Sequence, residues 1–206
     1  MEETVFPTKT NLIKYKETLE FSEVGFKLLD KKRNILIREL MTYVEKANEL
    51  EQKIQKTFME AYDALFKANV TLGIKNVSDT ADSIPVANDF SIVYKSIMGV
   101  EVPTIKYDEK EIVPRYSFYR TNSAMDLAHE KFNEVRYLIY ESAQVENAVY
   151  RLAIEIIKTK KKTNALENIQ IPKLKEIIKM IAESIEEIER EGFFRLKILK
   201  KKMEKN

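Results

Sequence analysis

Few residues in this 206-residue chain combine the types and spacing that chemistry needs. His129 is the only histidine, with Glu130 beside it. A general base must lie within reach of the proton it takes, and a metal needs several converging ligands. A lone histidine on a helical stretch meets neither condition and reads as a surface or packing residue. The acid pairs Glu186–Glu187 and Glu189–Glu191 read as exposed helix charges, because a long helix offers no concave pocket for raising a carboxylate pKa. There is no phosphate-cradling glycine loop, no nucleophile elbow and no metal-ligand set. Cysteine is absent, which excludes disulfides, thiol catalysis and thiolate sites. Ten tyrosines and ten phenylalanines offer rings for base stacking, but many recur at helical spacing and read as core. The chain is expected to catalyse nothing alone and to need no cofactor or metal.

Charge points to partners instead. A net charge of +2 argues against nucleic-acid binding by the chain as a whole. Its distribution is uneven: Arg190, Arg195, Lys197, Lys200, Lys201, Lys202 and Lys205 crowd the end, opposed by Glu191 and Glu204. A second basic knot lies at Lys158, Lys160, Lys161 and Lys162. Such runs serve either as a solvated helix face or as an attractant for an acidic protein surface or for nucleic-acid or lipid phosphates.

The elements that carry these residues are long helices. From Thr8 to about Leu72 an apolar seam runs through Leu12, Tyr15, Leu19, Phe26, Leu29, Leu36, Leu40, Tyr43, Ala47, Leu50, Ile54, Ala61, Ala64 and Ala68. Steps of three and four, averaging 3.5, predict a left-handed supercoil. A helix of roughly 65 residues would be about 100 Å long, too long for one rounded core. Thr8, after Pro7, is placed to cap it. Ser22, Arg33 and Thr57 interrupt the seam; polar seam residues can fix register, and Arg33 is read as snorkelling to water.

A second arm starts near Ser117–Ser123 and passes Met125, Ala128, Phe132, Val135, Ile139, Val145, Val149, Leu152 and Ile156. It continues through Leu166, Leu174, Ile177, Ile181, Ile185, Ile188, Leu196 and Leu199. Pro172 removes one backbone hydrogen bond and collides with the Asn168 carbonyl, so a bend is expected there. Counted to Met203, this arm is some twenty residues longer than the first, so antiparallel pairing leaves an overhang.

Between the arms, residues 73–116 change character. Asn76–Ser83 reads as a polar turn. Phe90–Ile97 and Val100–Ile105 are rich in β-branched and aromatic residues around Met98-Gly99, which is hairpin chemistry. Pro103 confines its strand to an edge. Ile97, Met98, Val100 and Val102 are too apolar for a free loop and are expected to dock on the helices or on a partner. Only 4 glycines and 33% charged residues suit helices with a narrow buried seam and a wide wet face. The fold class is all-α dominated: one elongated domain, a long antiparallel two-helix coiled coil with a small β-hairpin insert. Residues 1–8 lack an apolar signal core and no run is long enough to span a membrane, so a soluble, unexported chain is expected.

Four segments resemble the D subunit, the central rotor shaft, of the vacuolar and archaeal-type rotary ATPases. They are Pro7-Thr8 followed by Leu12; Gly25 with Leu28 to Asn34, Leu36 and Ile37; Met98-Gly99-Val100 with Val102-Pro103 and Ile105; and Asn164 to Glu167 with Ile171-Pro172, Leu174 and Glu189 to Lys197. Departures are Asp30 and Asn34, where the family more often has lysine and aspartate, and Gly192, where it has glutamate. The resemblance implies a non-catalytic component of the central stalk on the cytoplasmic face of a membrane. Both termini would point into the hexameric head built from A and B subunits. The insert would lie near the small F subunit and the funnel-shaped protein that joins the membrane ring. The chain would transmit torque between ATP chemistry and ion transport. Phe193, Phe194, Arg195, Lys197, Lys200, Lys201 and Lys202 are candidates for meeting the head, and Ile97, Met98, Val100 and Val102 for meeting the shaft or a stalk partner. A coiled-coil spacer or adaptor without rotary role would share the same periodicity, and a nucleic-acid binder acting through the basic tail is disfavoured by the near-neutral total charge.

Overall fold

A computed structural model describes residues 6–85, 89–107, 116–119 and 121–203. Its elements are α1 (Lys9–Leu72), α2 (Ile74–Ser83), β1 (Phe90–Ile97), β2 (Val100–Tyr107), α3 (Ser123–Ala165), a π turn (Leu166–Gln170) and α4 (Ile171–Met203). The long helices and the two-stranded insert make an all-α fold carrying a hairpin. The parts of the insert at 86–88 and 108–115, and Glu204 and Lys205 of the basic run, lie outside the described residues.

The chain divides into two compact units, one of Met1–Asn34 with Ile157–Asn206 and one of Ile35–Ile156. In the first, Thr8 caps α1: its hydroxyl accepts the Asn11 amide at 3.2 Å, satisfying one of the donors that a helix start leaves open. Two exposed ion pairs mark the pairing of α1 with α4, Lys9–Glu189 at 2.7 Å and Glu23–Lys175 at 3.0 Å. Fourteen residues separate the partners on each helix while the numbering runs in opposite senses. That is regular antiparallel register over two heptads. Among the described residues of this unit, Ser22, Thr159, Thr163, Leu174 and Ile181 are buried. Arg33 stays partly exposed and reaches back to the Asp30 carboxylate, which also accepts from Asn34 at 3.2 Å.

Seam hydroxyls satisfy themselves. Ser22 donates to the Thr18 carbonyl at 2.7 Å, Thr163 to that of Thr159 at 2.8 Å and, in the second unit, Thr57 to that of Lys53 at 3.0 Å. Burial therefore leaves none of these three hydroxyls unpaired, and none needs a cross-helix partner.

The second unit has a larger apolar core. Leu36 of α1, Val100 and Val102 of β2, and Ala148 and Leu152 of α3 form one cluster; Ala68, Val77, Tyr116 and Met125 form another. Asn122 caps α3 by accepting the Met125 amide at 3.2 Å, and donates to the Thr71 hydroxyl at 2.9 Å. Gly73 separates α1 from α2 at φ 83, a conformation that glycine adopts without penalty.

Three expectations need correction. Asn76–Ser83 is helical rather than a turn: Val77 is buried, and Asn76 and Thr80 bond back to the carbonyls of Leu72 and Asn76. Ile139 is exposed because the three-residue step from Val135 reaches Leu138 instead. Ile188, Leu196 and Leu199 are also exposed. Glu189 already pairs with the first residue of α1, so no α1 turn stands opposite the helix beyond it.

Candidate functional site

Past Glu189, α4 continues to Met203 with every residue exposed. This stretch holds the predicted Phe193, Phe194, Arg195, Lys197, Lys200, Lys201 and Lys202. Phe193 is 67% and Phe194 62% exposed, and Leu196, Ile198, Leu199 and Met203 are open as well. Successive helix residues point about 100° apart, so these side chains surround the axis rather than forming one stripe. Arg190 and Arg195 pair with Glu186 and Glu191 on the same helix. The lysines at 200–202 fall in the last turn, where the helix dipole favours cations. Gly192 sits in the exposed helix with open space around its Cα, so its effect there is one of helix propensity alone.

The hairpin divides its four candidates. Val100 and Val102 are buried against Leu36, Ala148 and Leu152, and Ile97 packs against the same cluster. Met98 instead stands at the turn with φ 51, beside Gly99 at φ 81. Both central residues are left-handed, as a two-residue hairpin turn matching strand twist demands. For methionine this conformation is strained, yet its side chain remains 46% exposed.

The outer edge of β2 is covered by α3. Arg151 donates to the Glu101 carbonyl at 3.0 Å and the Ile105 amide donates to Gln144 at 3.0 Å. Pro103, which has no amide hydrogen, lies between them on that edge. At the strand ends Phe90 and Tyr107 pack on Tyr140, and Asp89 pairs with Arg136 at 3.3 Å.

One surface escaped the sequence reading. Met59, Tyr62, Phe66 and Val70 of α1 are all exposed and recur at steps of three and four, as residues sharing one helix face do. The signal was present as a second apolar register beside the seam. Tyr62 packs edge-on against Phe132 at 5.8 Å.

His129 sits partly buried among an aromatic ring and an amide. Its ring packs edge-on against Tyr116 at 5.5 Å and lies beside the Asn133 amide. Burial, aided by the Arg136 charge and opposed by Asp126, lowers its pKa. Tyr116 donates to Asp126 at 2.5 Å, and burial with that bond pushes the phenol well above its usual range. Among the described residues no cluster of three or more His, Asp or Glu side chains could hold a metal, and no helix is long and apolar enough to cross a membrane.

Long helices with a two-stranded hairpin insert define the class as an all-α protein carrying a small antiparallel β-hairpin. The chain belongs to the ATP synthase D-subunit family, whose model matches residues 11–201. It is 46% identical to the D subunit of a V-type ATP synthase from Thermotoga neapolitana, over 97% of this chain and 98% of that one. It is 39% identical to the D subunit of an A-type ATP synthase from Pyrococcus furiosus, over 97% and 95%. With the A-type counterpart from Methanobrevibacter smithii it shares 34%, over 97% and 87%.

Proposed function

We propose that this chain is the non-catalytic rotor of the central stalk in a V/A-type ATP synthase, acting as a single shaft that transmits torque between ATP chemistry in the head and ion movement at the membrane. The observation that carries the reading is the exposed end of α4. Large apolar side chains spread over several faces of one helix are normally covered by a partner, and here Phe193, Phe194, Leu196, Ile198 and Leu199 are open, interleaved with basic residues. A hexameric head of A and B subunits would enclose it, and Arg195, Lys197 and Lys200 to Lys202 would meet acidic groups on the head's inner wall.

Torque follows from differential affinity. A rotor can bias three similar sites only by binding one conformation better than the others, and a single helix turning inside the head would meet the three sites in unlike ways. Met98, and the exposed stripe of Met59, Tyr62, Phe66 and Val70, would serve stalk partners, the small F subunit and the funnel-shaped protein at the membrane ring. Ile97, Val100 and Val102 would act there by supporting the turn from within. The rotor would lie peripherally on the cytoplasmic face, with no nucleic-acid partner.

Replacing Lys200, Lys201 and Lys202 with alanine is expected to weaken assembly with purified A and B subunits, by a margin that shrinks as salt rises. Affinity equal to the parent's at every salt concentration refutes a charge-guided tip.

A further inference from the structure

The inward-facing positions at the end of α3 and the start of α4 carry a phase slip. Thr159, Thr163 and Leu166 follow one another at steps of four and three; the next inward residue is Ile171, five positions on, and then Leu174 and Ile181 continue the ordinary rhythm. At 3.6 residues per turn, one surplus residue would swing everything after it by about 100°. Leu174 and Ile181 would then face water. They are instead 7% and 0% exposed, because the surplus is absorbed in a widened turn: the Ile171 amide donates to the Leu166 carbonyl, five residues back. Glu167, Asn168, Ile169 and Gln170 all face out, Ile169 with 66% of its surface exposed.

The neighbourhood is weak on both sides. Thr163 shares the Thr159 carbonyl with the backbone ladder, which loosens a helix slightly. Pro172 has no amide hydrogen to give and in an unbroken α-helix would strike the Asn168 carbonyl. The seam supplies little apolar support, since among the described residues of this unit the hydroxyl-bearing Ser22, Thr159 and Thr163 are buried beside only Leu174 and Ile181.

We propose that Leu166–Pro172 is a built-in soft joint, a one-residue insertion in the seam held as a π turn, at which the C-terminal helix opens and twists locally while both flanking seams stay engaged. The surplus residue creates the turn and Pro172 only pins its position. The joint is a property of the chain itself and does not depend on the rotary reading. π turns of this kind recur where helices must yield.

Hydrogen exchange on the full-length protein tests it. Backbone amides of 167–171 and 173 are expected to exchange about tenfold or more faster than those of the flanking helix at 150–158 and 174–182. P172A alone should leave that fast segment in place, because the phase slip persists. Removal of Asn168 combined with P172A restores continuous steps of three and four, so the fast segment should vanish and the melting temperature rise. Uniform protection in the parent overturns the proposal. So does loss of the fast segment in P172A alone, or a lower melting temperature in the deletion variant.

Discussion

Leu36 joins the hairpin to the helices, and truncating it measures how firmly the insert belongs to the fold. The side chain is 0% exposed and shares one cluster with Val100 and Val102 of β2 and Ala148 and Leu152 of α3. Leu36→Ala removes the transfer energy of the lost carbons and leaves a cavity, together about 2–5 kcal/mol at buried sites. Two neighbours are β-strand residues fixed by cross-strand pairing, and Ala148 is too small to fill the gap. Collapse is therefore limited and about 3–4 kcal/mol is expected. For a chain of this length that lowers the melting temperature by roughly 6–16 °C. Leu196→Ala provides the contrast: it is 67% exposed, has nearly the same helix propensity, and should change stability by less than ~0.5 kcal/mol. Thermal unfolding followed by circular dichroism reads both. If the two variants melt together, the hairpin does not share the core described above.

Two further outcomes are expected. Met98→Asn places at φ 51 a residue that tolerates the left-handed region, so stability should rise by about 0.5–1 kcal/mol while binding of stalk partners falls; a lower melting temperature would show that no strain is relieved. His129 has a folded pKa below its usual 6.5, with burial as the main cause. The unfolded chain therefore takes up a proton first, and the stability from the neutral ring is present above that value and lost as pH falls through it. Melting temperature between about pH 7.5 and 5.5 should decline more steeply in the parent than in His129→Gln, and parallel curves would remove His129 from the account.

Much of this architecture was legible because its determinants are local. The seam from Leu12 to Ala68 needed only period, and Met98-Gly99 between two β-branched runs located the hairpin turn, although the second strand runs on past Ile105 to Tyr107. The short helix α2 was hidden because Asn76, Ser78, Asp79, Thr80 and Asp82 favour turns. Its helicity depends on burying Val77 beside Ala68 and Met125, a tertiary effect. Ile188, Leu196 and Leu199 continue the rhythm of a seam, and rhythm cannot report whether another helix stands opposite. The partner's end at Lys9 decides that. Pro172 announced a disturbance, but the five-residue step that creates the π turn lies before it. The stripe of Met59, Tyr62, Phe66 and Val70 carries no mark of exposure in the sequence, because apolar residues at helical spacing read equally well as core.

The central claim is that one copy of this chain serves a whole catalytic head, with the end of α4 inside it. Native mass spectrometry of the protein mixed with purified A and B subunits measures that directly. A complex with one copy of this chain per hexamer, lost when α4 is truncated after Glu189, is the predicted result. Three copies per hexamer, or an equally stable complex with the truncated chain, would contradict it.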